Sequence, residues 1–86
     1  MYTIYKSTRK FKKYMAVFHD GRPTVHFGDN RYEQFKDNTR LKLYTSLNHG
    51  DIERLKRYYQ RHGKAKKYSA KYFSHRYLWR KPTLKK

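Results

Sequence analysis

The sequence predicts an α+β domain, an antiparallel two- to three-stranded β-meander over about residues 2–28 covered by one or two basic amphipathic helices at about 51–62 and 69–79. Three observations carry this. The opening third holds β-rich runs in which apolar and polar residues alternate. A tight reversal separates two of those runs. Two later stretches repeat apolar residues at helical spacing between capping residues.

Tyr2, Ile4 and Lys6 alternate with Thr3 and Tyr5, and a basic turn at Ser7–Lys10 leads into the run Phe11–Phe18. His19-Asp20-Gly21-Arg22-Pro23 is the reversal, with glycine supplying the backbone freedom such turns use. Thr24–Phe27 returns as a further run that Gly28-Asp29 ends. Two strands alone are marginal in water, so one face must be covered. Asp51 is placed to cap a helix in which Ile52, Leu55, Tyr58, Tyr59 and His62 share one arc, read here as facing the sheet, and Gly63 ends it. Ser69 caps a second helix running through Ala70, Phe73 and Tyr77 to Trp79, and Pro82 prevents its continuation. Residues 30–48 show no clear period; Tyr32, Phe35, Leu41, Leu43 and Tyr44 are compatible with turns or a short helix over the sheet. The terminal Lys85-Lys86 is expected to fray.

Eighty-six residues make a single small basic domain with a limited core. Aromatic residues are 19% of the chain and include ten tyrosines, so the core must be built largely of rings, with some left at the surface. There is no cysteine, which removes disulfides and thiolate metal sites from consideration. No run has the apolar length of a membrane span, and no segment pairs a basic face with a broad lipid-facing stripe, so no membrane partner is expected.

Charge is the strongest functional signal. Twenty-three Lys and Arg face six Asp and Glu, for a net charge of +17, and between Arg54 and Lys86 there is no acid at all. Tyr58, Tyr59, Tyr68, Tyr72, Phe73, Tyr77 and Trp79 are interleaved with those cations. Dense positive charge with flat rings inside it suits a polyanion that carries stackable bases, which is the footprint of a nucleic-acid-binding protein. Arg54, Arg57 and Arg61 share one helical face at a spacing that reaches neighbouring phosphates. Lys64, Lys66, Lys67 and Lys71 extend the patch, and Arg76, Arg80 and Lys81 continue it. Tyr68 and Tyr72 are the rings expected at the surface for stacking, whereas Phe73, Tyr77 and Trp79 read as core.

Several blocks resemble a small family of basic proteins from large double-stranded DNA viruses of algae and protists, with relatives in some tailed phages. They are Lys12-Lys13-Tyr14-Met15-Ala16-Val17-Phe18; Val25-His26-Phe27-Gly28-Asp29 with Arg31-Tyr32-Glu33-Gln34-Phe35-Lys36-Asp37; His49-Gly50-Asp51 through Arg61-His62-Gly63; and Ser69-Ala70-Lys71-Tyr72-Phe73-Ser74 through Tyr77-Leu78-Trp79 to Lys81-Pro82-Thr83-Leu84. The resemblance implies a virus-encoded protein carried in the virion or acting in the host nucleus or cytoplasm, and it implies no catalytic residues. That family has a longer acidic or polar insertion before the block beginning at Ser69, where this chain has the short basic Lys64-Ala65-Lys66-Lys67.

An enzymatic reading rests on His26, Asp29 and Asp37, because a histidine with carboxylates can hold a metal for phosphodiester cleavage. Their spacing matches no metal-ligand motif, and turn formation or helix capping explains the acids more simply. The expectation is therefore a protein without catalytic activity, metal or cofactor that binds nucleic acid, DNA more than RNA, through its phosphates. Its task would be viral genome condensation or packaging. The competing expectations are a minor capsid or core protein docking on acidic virion proteins, and an RNA- or ribosome-associated protein.

Overall fold

A computed structural model of the protein describes residues 1–82; the Lys85-Lys86 end and Thr83-Leu84 lie outside the described residues. Strands β1 (Tyr2–Lys6), β2 (Lys12–Phe18) and β3 (Val25–Asp29) form one sheet in the order β1-β2-β3, antiparallel throughout. The register runs from Tyr2 opposite Phe18 to Lys6 opposite Tyr14, and from Lys12 opposite Asp29 to Ala16 opposite Val25. Three strands are present, the upper bound of the expectation. Because side chains alternate along a strand, this register gathers Ile4, Tyr14, Ala16, Phe18 and Phe27 into one buried cluster.

Helices α1 (Ile52–His62) and α2 (Ala70–Tyr77) follow a long connection that contains one short 3-10 turn at Thr45–Leu47. Asp51 caps α1 by accepting from the amides of Glu53 and Arg54, and Gly63 at φ 63° ends it with its N–H donating to the Tyr59 carbonyl. The Ser69 hydroxyl caps α2 by accepting from the Tyr72 amide at 3.1 Å. This helix stops at Tyr77, two residues short of the expected Trp79. The carbonyls of Tyr77 and Leu78 are taken by the amides of Asn38 and Lys36 at 2.8 and 3.1 Å, so the terminal acceptors of the helix bond to the 30–48 segment.

The cover of the sheet is α2. Phe73 is fully buried, stacked on Phe27 at 5.4 Å between centroids and met edge-on by Tyr2 at 5.0 Å. Leu78 reaches Gly28 so closely that a Cβ there would lie 2.6 Å from its Cδ1. The expected sheet-facing role of α1 is corrected: Ile52 and His62 are exposed, and Tyr58 stacks in parallel on Trp79 at 4.3 Å. An amphipathic arc says that one face is buried but not which element buries it.

The aperiodic 30–48 segment is held by buried polar groups. Asp37 is 1% exposed, and its carboxylate accepts from the Tyr14 hydroxyl (2.5 Å), the Thr39 hydroxyl (2.6 Å) and the amides of Thr39 (3.0 Å) and Tyr44 (3.1 Å). Gln34 donates to Asn48 and to the Tyr44 carbonyl, and the Lys13 ammonium donates to Gln34 and to the Tyr32 carbonyl. Asp37 therefore anchors a loop; it does not cap a local helix.

Candidate nucleic-acid interface

The six carboxylates are all engaged within the chain. Asp20 pairs with Arg22 (3.1 Å), Asp29 with Arg31 (2.8 Å), Glu33 with Arg54 (2.7 Å) and Glu53 with Lys56 (3.7 Å). Asp51 caps α1, and Asp37 lies in the polar network. Among the described residues no carboxylate therefore comes within ion-pair distance of any Lys or Arg from Arg57 to Lys81. Arg54 departs from the expectation of an unpaired helical arginine face, because Glu33 lies across from it although the two are 21 residues apart in sequence. The Arg54 contact in turn draws the Glu33 carboxyl below its ordinary range.

Cations flank α2 in two grooves. A cleft of about 650 Å³ on one side is bordered by Arg54, Arg57 and Arg61 of α1, Lys71 of α2, and Lys12 and Lys13 of β2, with the arginine-paired carboxylates of Asp29 and Glu33 also on its lining. Its apolar lining includes Phe27, Leu78, Tyr58 and Trp79. On the other side a shallower groove of about 760 Å³ collects Lys64, Arg76, Arg80 and Lys81 beside Tyr59, Tyr72 and His75. Lys66 and Lys67 stay on the exposed linker, outside both grooves, and Lys67 lies 5.1 Å from the Tyr68 ring centroid. The predicted cations thus separate into two banks instead of forming one stripe.

Two contacts fix the bank on α1. The Tyr59 hydroxyl donates to the Trp79 carbonyl at 2.6 Å. His75 bridges the helices: its Nε2–H donates to the Gly63 carbonyl at 2.8 Å, which leaves Nδ1 to accept from the Tyr58 hydroxyl at 2.9 Å. Burial pushes the Tyr58 hydroxyl far above its ordinary pKa, so it remains a donor. With Tyr58 stacked on Trp79, these bonds hold α1 at the angle that turns Arg57 and Arg61 toward the cleft.

Tyr68 and Tyr72 are not the free rings expected. Both are half-buried against the core cluster. Tyr2, Phe18 and Phe73 surround Tyr68, and the Arg22 guanidinium lies 5.2 Å from its centroid. Composition could not show this, because most of the covering groups come from β1, β2 and the β2–β3 turn, with Phe73 of α2.

Lys12 and Lys13 of the cleft lie outside the cations expected from the sequence, which begin at Arg54. Lys13 is 2% exposed, and burial lowers its pKa to about 8 against the opposing pull of Asp37 and Asp29. Its only sequence-level signal is its position between Lys12 and the core residue Tyr14 in a strand. His26, Asp29 and Asp37 are each committed elsewhere: His26 to the Ser7 hydroxyl at 2.7 Å, Asp29 to Arg31, Asp37 to the loop. Hydrogen bonds from Arg31 hold Asp29 at about 2. For Asp37, burial alone would raise the carboxyl, but the donors from Thr39, Tyr14 and Tyr44 outweigh it and keep it below its ordinary value.

The profile of a family of unknown function (DUF5754) matches residues 2–62, which is the sheet, the polar-anchored loop and α1. The chain belongs to that family. No curated protein and no solved structure matches it. The family span stops before α2, so Phe73 and Leu78, two members of the buried cluster, come from outside it. No helix among the described residues is long and apolar enough to cross a membrane.

Proposed function

We propose that this protein binds nucleic acid chiefly through its phosphates, with weak sequence preference. One observation carries the reading: among the described residues no Lys or Arg from Arg57 to Lys81 has a carboxylate partner, while the acidic side chains are spent on other contacts. Cations that the fold does not neutralise hold counterions, and a phosphate polymer gains affinity by releasing them. Among the described residues no helix or strand presents a row of Asn and Gln for reading base edges, and Gln34 and Asn48 are tied to each other. Condensation or packaging of a viral genome is the task that the resemblance to viral basic proteins implies, and DNA is the polymer that goes with it.

The test is a salt series on duplex DNA, single-stranded DNA and RNA. If roughly 6–8 phosphates are neutralised, log affinity on duplex falls against log salt with a slope of about −5 to −7. Arg57→Ala with Arg61→Ala flattens that slope by about 2 units, one for each lost phosphate contact. Absence of binding to all three polymers at low salt would overturn the reading, and stoichiometric capture of an acidic protein instead would favour a structural role.

A further inference from the structure

The two grooves beside α2 differ in a way that a uniform phosphate polymer does not require. The backbone of a duplex is a convex row of anions, and a cationic surface suffices for it. The shallow groove with Lys64, Arg76, Arg80 and Lys81 is such a surface. The cleft between α1, α2 and β3, of similar volume, is the more enclosed of the two and adds a wall of stacked rings, as sites that enclose a small organic group do.

The wall is a ladder of rings. Trp79 stacks on Tyr58 at 4.3 Å and 4°, and Tyr58 meets His62 at 4.5 Å, while His49 backs Trp79 at 5.2 Å from outside the cleft. His62 ends the ladder and is exposed, so it is the rung with an open side. Beside it are the cations Arg61 and Lys71, the latter also donating to the His62 carbonyl at 3.0 Å. Resting on the nucleic-acid reading above, we infer that this cleft is a single-strand site that takes an unpaired nucleotide, its base added to the ring ladder at His62 and its phosphate held among Arg57, Arg61 and Lys71. Bases in a duplex are stacked and paired and have no free face to offer, whereas an unpaired base does. Partial desolvation where the ring meets Tyr58, with Arg61, Lys71 and His75 adding to it, keeps the His62 pKa below its ordinary value, so the imidazole serves as a neutral ring.

That neutrality gives the experiment its discrimination. An oligothymidylate and a duplex of the same length are titrated with wild type and with His62→Ala at pH 7.5 across a salt series, with circular dichroism as the folding control. The inference expects His62→Ala to lose about tenfold on the single strand, within the range measured for base–aromatic stacking. It also expects an unchanged salt slope and an unchanged duplex affinity. In the wild type, thymidine monophosphate should compete for the single strand better than inorganic phosphate at the same concentration. Equal losses on both polymers, no loss on either, or equal competition by phosphate overturns the single-strand site and leaves general phosphate binding standing. Failure of the wild type to bind either polymer overturns both.

Discussion

Helices α1 and α2 are both basic on their outer faces, yet they stand in opposite relations to the fold. α2 is structural on its inner side: Phe73 is fully buried on Phe27, and the helix terminus is tied to the 30–48 segment through Lys36 and Asn38. α1 rests on Trp79 and His75, side chains that belong to α2 and its exit. It is a platform carried by the helix that closes the core. The difference teaches that net charge identifies a surface but not which basic helix the fold depends on. The family profile sharpens the point, since it spans the platform and stops before the helix that supports it.

Cutting the core side of this comparison has the largest expected effect. Phe73→Ala should destabilise the whole domain by about 3–5 kcal/mol, the usual cost of truncating a buried aromatic. A domain this small holds only ~5–15 kcal/mol in total. Urea or thermal unfolding followed by circular dichroism reads it, and a midpoint within a degree or two of wild type would show that α2 is not the cover. Tyr58→Ala should act more locally. Amides of α1 lose hydrogen-exchange protection, those of β1–β3 keep theirs, and the salt slope on DNA flattens by about 2 units as Arg57 and Arg61 lose their placement. Equal loss of protection in strands and helix would mean that the two helices form one cooperative unit.

The smallest effect concerns the buried amine under the cleft. Lys13 titrates at about 8 in the fold against an ordinary 10.5. Between these values the unfolded chain holds a proton that the folded chain has released, so stability rises with pH across that window, by at most about 1.4 kcal/mol per pH unit. Tyr2 and Tyr14 work the other way. Burial pushes both to about 12 from an ordinary 10.0, so the folded state keeps protons that the unfolded state loses, and stability falls above pH 10. Denaturation series between pH 7 and 11 should therefore show a maximum near pH 10, and Lys13→Met should remove the rising limb while leaving the falling one. A rising limb that survives the substitution would assign it to another group.

The sheet and both helix starts were legible because they follow rules with a period or a cap: alternation in Tyr2–Lys6 and Lys12–Phe18, Asp51 before Ile52, Ser69 before Ala70. The docking of α1 was not, since its partner ring Trp79 lies some twenty residues on and a buried arc does not name what buries it. The loop was illegible for a different reason. Its order comes from Gln34, Asp37, Thr39 and Lys13, polar residues that hydropathy places outside and that are buried only because they satisfy one another. The free cations of the interface were read from composition, while the neutralisation of Arg54 by Glu33 depended on a fold that brings the loop against α1.

The placement of Phe73 and Leu78 late in the chain has a bearing on biosynthesis. A ribosome adding ~5–20 residues per second exposes the three strands before the segment that shields them exists. Completion of α2 is then the event that lets the sheet bury its rings.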